Sequence, residues 1–230
     1  MQKKTFYSEL AYVAGMILLA FSTAAMTMAD FGLSMVVAPA YILHVKMHSI
    51  FSFFSFGMAE YIFQALLLLL MMLIVRRFRI RYLFAFATAV LYGFLLDFCL
   101  FLLSPIPTDA LWVRLVLFVG GMVVCALGVA FMFHTYIAPE VYELFVKEVS
   151  DVYKLPIARV KTVYDCTSCL LGIVLSFLFF GFGTFVGVGW GTVVCALING
   201  FLIGLFSKLL EKLFDFPPAL KWKKKEESDS

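Results

Sequence analysis

Apolar positions along the chain fall into six long runs divided by short polar connectors. A helix of about 20 apolar residues is long enough to cross a hydrocarbon layer about 30 Å thick, so each run reads as a membrane span. The runs lie at 10–29, 53–75, 82–103, 113–135, 164–182 and 187–207. RRFRIR separates the second from the third, SPIPTDALW the third from the fourth, and GFGTFVGVG turns the fifth into the sixth. The stretch 136–163 is too polar to span. Its Val141, Leu144, Phe145 and Val149 recur at helical spacing, with Glu140, Glu143, Lys147 and Glu148 between them. That pattern predicts a short amphipathic helix over about 139–152, lying at the cytoplasmic interface. Pro139 stands near its start, where a missing backbone donor is harmless, and Pro156 begins the turn that follows. The predicted class is all-α: a polytopic membrane protein with six transmembrane helices.

Composition sharpens this. Of 230 residues, 63% are hydrophobic and only 14% charged. A soluble domain is about half apolar and about a quarter charged, and a chain of this size cannot hide such an excess from water. Lipid must supply the missing surroundings. Lys3 and Lys4 precede the first run as they would in a secretory leader, but the run is long and FSTAAMTMAD offers only a loose cleavage pattern, so it is kept as a span.

Charge sets the orientation. Lys3 and Lys4, then Arg76, Arg77, Arg79 and Arg81, then Lys147, Lys154, Arg159 and Lys161, and finally Lys221 and Lys223 to Lys225 all fall on alternate connectors or termini. The intervening connectors hold only Lys46 and Arg114. By the positive-inside rule both termini are expected in the cytoplasm. The KWKKKEESDS tail suits anionic headgroups as well as a plain topology signal, and nothing suggests a nucleic-acid partner.

The halves resemble each other. GMILLAFSTAAM at 15–26 aligns with GMVVCALGVAFM at 121–132, VVAP at 36–39 with YIAP at 136–139, and LYGFLLDF at 91–98 with LINGFLIGLF at 197–206. Glu60 then corresponds roughly to Asp165. These matches predict a first three-helix repeat over 1–107, a second over 108–215 and a polar tail over 216–230. Three spans per unit is an odd number, so the second unit enters the membrane from the other side and the repeat is inverted.

The candidate site comes from polar groups inside apolar runs. A carboxylate at membrane depth costs several kcal/mol unless it faces protein or water. Glu60 and Gln64 are four apart and share a helical face; Asp97 is deep in the third run, and Asn199 lies well inside the sixth. Asp165 heads the fifth, where capping is the plainer role. Together Glu60, Gln64, Asp97, Asp165 and Asn199 are candidates to hold a proton, a cation or a small polar molecule; helix-to-helix hydrogen bonding is the rival. Asp30, followed closely by Gly32, reads as an exit turn, and His134 as an interfacial hydrogen-bonder. Cys166 and Cys169 form a lone C-x-x-C, and His44 and His48 share a face if their connector is helical; either pair is a weak metal candidate. No triad, H-E-x-x-H or phosphate loop occurs. Neither an enzyme nor a cofactor is expected. Gly187 to Gly191 and Gly200 to Gly204 have the spacing of close helix contacts, which leaves a homo-oligomer open, and the segment around them suits an unwound cavity lining equally.

The glycine-rich run GFGTFVGVGWGTVVCALINGFLIGLF, with Gly189, Gly191, Thr192, Asn199, Gly200 and Gly204, resembles the YitT/YczE-type bacterial integral membrane proteins. FGLSMVVAP at 31–39 and LPIARVKTVYD at 155–165 are similar to that family's turn and connector; Cys166, Cys169 and Met35 to Val37 depart from it. The resemblance implies a bacterial inner-membrane protein and no particular substrate. Buried acids in an inverted repeat point to a transporter of a small molecule or ion. The alternative is an accessory protein that stabilises a partner complex.

Overall fold

The computed structural model describes residues 4–137, 140–155 and 157–219. Pro139, Pro156 and the basic tail from Lys221 lie outside them. Among the described residues eight helices run in the order α1 (Ser8–Ala29), α2 (Ala38–His48), α3 (Phe56–Val75), α4 (Arg81–Leu103), α5 (Leu111–Phe133), α6 (Val141–Tyr153), α7 (Ile157–Phe180) and α8 (Trp190–Leu213). Six of these (all but α2 and α6) are long and apolar enough to cross a membrane, one for each expected span. The chain is an all-α polytopic membrane protein. β1 (Lys4–Thr5) and β2 (Phe214–Asp215) pair in parallel, so the first and last described elements meet at one end of the bundle.

Local chemistry sets the helix limits. Asp30, Arg76 and Lys154 close α1, α3 and α6 in the left-handed conformation, with φ of 54°, 52° and 52°. Ser55 opens α3, its Oγ accepting from Met58 N at 3.1 Å. The sixth span begins later than expected, at Trp190, because Gly187 sits at φ 71° and its carbonyl accepts from Leu33 N. That bond, with Gly191 N donating to Phe31 O at 2.8 Å, ties the loop before α8 to the loop after α1. The fifth span begins earlier than expected, because Arg159, Lys161 and Asp165 continue the helix.

Both halves show the same order: a span, a short helix, two spans. α1 packs on α5 through small residues, and the contacts are reciprocal. A Cβ on Gly15 would meet Gly128 O and Met132; one on Gly121 would meet Ser22 O and Met26. In the sequence alignment Gly15 matches Gly121, Ser22 matches Gly128 and Met26 matches Met132, so each contact is the other with the halves exchanged. Likewise α4 packs on α1 as α8 packs on α5, and α2 lies against α7 as α6 lies against α3. Two pairings break the pattern. α6 touches α4, whereas α2 and α8 scarcely meet. α3 packs along α4, whereas α7 and α8 scarcely touch.

The short helices differ most from expectation. α6 forms where the pattern predicts an interfacial helix, but Val141, Tyr142, Leu144, Val146, Glu148 and Ser150 are buried and it packs against α3, α4 and α7. Its start meets Gln64 in the middle of α3, and near its end Tyr153 donates to Ile74 O. It therefore dips into the bundle. The polar face that suggests a wet surface is satisfied inside: buried Glu148 accepts from Tyr82 at 2.8 Å and from Arg79 at 3.2 Å, with Arg81 at 3.5 Å. α2 does the same from the far end. Ala38 lies near Gly172 within α7, and Lys46 reaches Phe179 O near the end of that helix. Its His44 and His48 both turn a ring nitrogen to Phe54 O at 3.1 Å.

Candidate functional site

The start of α6 brings backbone N–H groups that have no partner within their own helix into the middle of the bundle. Gln64 supplies the remedy: its Oε1 accepts from Val141 N at 3.2 Å. Glu60, one turn earlier on the same face of α3, accepts from Tyr142 OH at 2.8 Å and from Gln64 Nε2 at 3.4 Å. Both side chains are fully buried. Thus the acid and amide within α3 form a seat for a helix that begins at mid-depth.

Asp97 has a different setting. From α4 it accepts from Ser55 Oγ at 2.5 Å and from Gly57 N at 2.8 Å, holding the first turn of α3. Gly57 allows the approach, since a Cβ there would lie 2.1 Å from Gly93 O. The Asp97 carboxylate also lies against the positive end of the α3 dipole, a favourable place for an anion.

Asp165 and Asn199 line a cavity of about 500 Å³ between the two short helices. Its polar wall includes Thr23 of α1, Tyr92 of α4, Glu140, Tyr142 and Glu143 at α6, and Lys161 beside Asp165 on α7. Ser34 to Val37, leading into α2, close the other side. Glu60, Gln64 and Asp97 are absent from the wall; Tyr142 stands between Glu60 and the cavity. The expected residues therefore separate into two that line the void, two that seat α6 and one that holds α3.

The wall is acidic. Lys161 Nζ stands 2.9 Å from Asp165 Oδ1, one turn along α7. Glu140 has an Oε1 with no hydrogen-bond partner, although the residue is only 6% exposed. Burial pushes its carboxyl well above the usual range, and Glu143 and Glu60 add to the shift by like-charge repulsion. Burial raises Glu143 too, while Lys161 pulls it back. Asn199 Oδ1 is likewise buried and unpartnered, with Nδ2 turned to Cys125 Sγ at 3.8 Å. Such acceptors are costly to bury unmet, so they mark a place suited to a donor.

Glu140, Glu143 and Lys161 escape sequence reasoning because a polar face at helical spacing looks the same on a membrane surface and around an internal void. The match between VVAP and YIAP is the one available clue, since both precede a short helix that starts inside the bundle. Cys166 is exposed and Cys169 half-buried, both as free thiols; Cys125 and Cys195 line the cavity instead.

A family model described as "Family of unknown function (DUF6198)" matches residues 6–208. The chain belongs to this family. The match takes in every residue of the cavity wall and all but the end of α8, so the DUF6198 region and the two-half bundle nearly coincide. No curated protein and no solved structure matches the chain.

Proposed function

We propose that this DUF6198 protein is a membrane transporter of a small molecule or ion, working by alternating exposure of one central site. The observation that carries this reading is the cavity of about 500 Å³, held between two short helices that enter from opposite ends. Volumes of about 300–1,000 Å³ are usual for small-molecule sites. The exchangeable contacts between α1 and α5 support a three-plus-three inverted repeat with its axis in the membrane plane, an architecture offering two related packings. In this reading Asp165 and Asn199 touch the substrate, Glu60 and Gln64 act through α6, and Asp97 keeps α3 in place. The chemistry is binding and exposure, with no covalent step. Both termini face the cytoplasm, as the Lys/Arg bias implies, and the likeness to YitT/YczE proteins favours a bacterial inner membrane.

An accessory role is the second reading, favoured by α7 and α8. These carry exposed Leu170, Val174 and Leu178, and Leu197 and Phe201, on helices that scarcely pack together. Lipid or another protein would cover them.

Thiol labelling separates the two. Asn199→Cys, in a chain whose five native cysteines are alanine, is reconstituted in sealed vesicles. A transporter exposes the new thiol to a membrane-impermeant reagent from each side in turn. Labelling from one side alone, in protein that remains folded, would overturn the transporter reading.

A further inference from the structure

We propose that the cavity takes a primary or secondary organic ammonium, a cationic N–H donor carried on an apolar body. The inference rests on reading this cavity as the substrate site. Three features of the wall specify the ligand.

First, two residues of the wall, Glu140 and Asn199, each carry an acceptor oxygen, Oε1 and Oδ1, that is buried without a donor. A ligand that brings N–H groups offers such oxygens a donor once their side chains turn to the void; a carboxylate, an ether or a quaternary ammonium offers none. Secondly, the charges do not balance. Lys161 is held by Asp165, and no cation lies within ion-pairing distance of Glu140 or Glu143 among the described residues. The start of α6 contributes only about half a positive charge. When ionised, Glu140 and Glu143 together outweigh it and leave an excess of negative charge. A ligand with one positive charge answers it. Thirdly, most of the lining is apolar, including Leu19, Met26, Val129 and Ile203, and Tyr92 and Tyr142 present aromatic rings. Such a wall suits a hydrocarbon body beside a charged head, and ring faces attract cations. A bare calcium or magnesium ion would call for about six or more close oxygen ligands and leave most of the void empty.

The test uses the full chain in detergent and four probes that share a phenyl body: 2-phenylethylammonium, its N-trimethyl derivative, 2-phenylethanol and 3-phenylpropanoate. Titration calorimetry is expected to show the primary ammonium binding at least tenfold tighter than each of the others. Glu140→Gln should weaken it at least tenfold, and Asn199→Ala should narrow its advantage over the trimethyl derivative. Should Glu140→Gln not fold, Glu143→Gln serves, with a several-fold loss expected. The proposal is overturned if folded wild-type protein does not bind the primary ammonium, if the alcohol, acid or trimethyl probe binds as tightly, or if the carboxamide variants keep full affinity. Thiol labelling keeps the two ideas apart. Two-sided labelling without ammonium binding removes the ligand class and leaves the transporter; one-sided labelling with ammonium binding does the reverse.

Discussion

At the residue scale, a carboxylate inside an apolar bundle has two different uses here. Glu60 Oε2 and Gln64 Oε1 satisfy another helix, whereas Glu140 Oε1, like Glu60 Oε1, has no hydrogen-bond partner. Gln64→Ala strips Val141 N of its acceptor, and an unmet buried amide costs about 1–3 kcal/mol. The variant should lose stability by that order in reversible unfolding in mild detergent. Gln64→Glu, which keeps an acceptor but adds a charge beside Glu60, should not restore it. Glu140 gives a pH signature. Its folded carboxyl holds its proton to higher pH than the unfolded chain does, so the unfolded state releases protons first and stability falls as pH rises above the ordinary carboxylate value. Glu140→Gln removes that loss. Melting curves should therefore show the variant and wild type close together near about pH 4 and the variant gaining steadily toward about pH 8. A constant difference across that range would contradict the assignment.

At the scale of elements, the glycines fall into two kinds. Gly57 and Gly93 face each other's backbone, so Gly57→Ala must part α3 from α4 and loosen the Asp97 contacts. At Gly200 and Gly204 a Cβ would find nothing within 4 Å, and alanine there should leave the melting temperature unchanged or slightly higher. Measuring both kinds of variant checks the packing of α3 on α4 against the open flank of α8. Sequence spacing alone marks Gly200 and Gly204 as contact glycines, since G-x-x-x-G says that backbones can approach and not that a partner is present. The six spans are readable because twenty apolar residues have few other uses. The depth of α2 and α6 is not, because a helix of 11 or 13 residues is too short to register as a span. Their polar residues look alike whether they face water, a cavity or a neighbouring arginine. Glu60 and Asp97 stand out in the sequence as unusual, but which helix each one serves depends on contacts 82 and 40 residues away in the chain.

At the scale of the whole molecule, the halves match in element order and in the α1–α5 contact but not in the packing of their last two helices. The cavity wall runs from α7 to α8 where those helices part, through Lys161, Asp165, Asn199 and Gly200. A cross-link between engineered cysteines that holds α7 to α8 should therefore lower ligand exchange without affecting the melting of the rest, measured as slowed ammonium binding beside an unchanged unfolding curve. The seat in α3 also bears on biosynthesis. Glu60 and Gln64 leave the ribosome long before Val141 and Tyr142 exist, so the nascent first half enters the bilayer with an acid and an amide that have nothing to hold. Those three spans, translated alone, should be cleared by membrane proteases, and supplying the second half as a separate polypeptide should rescue them.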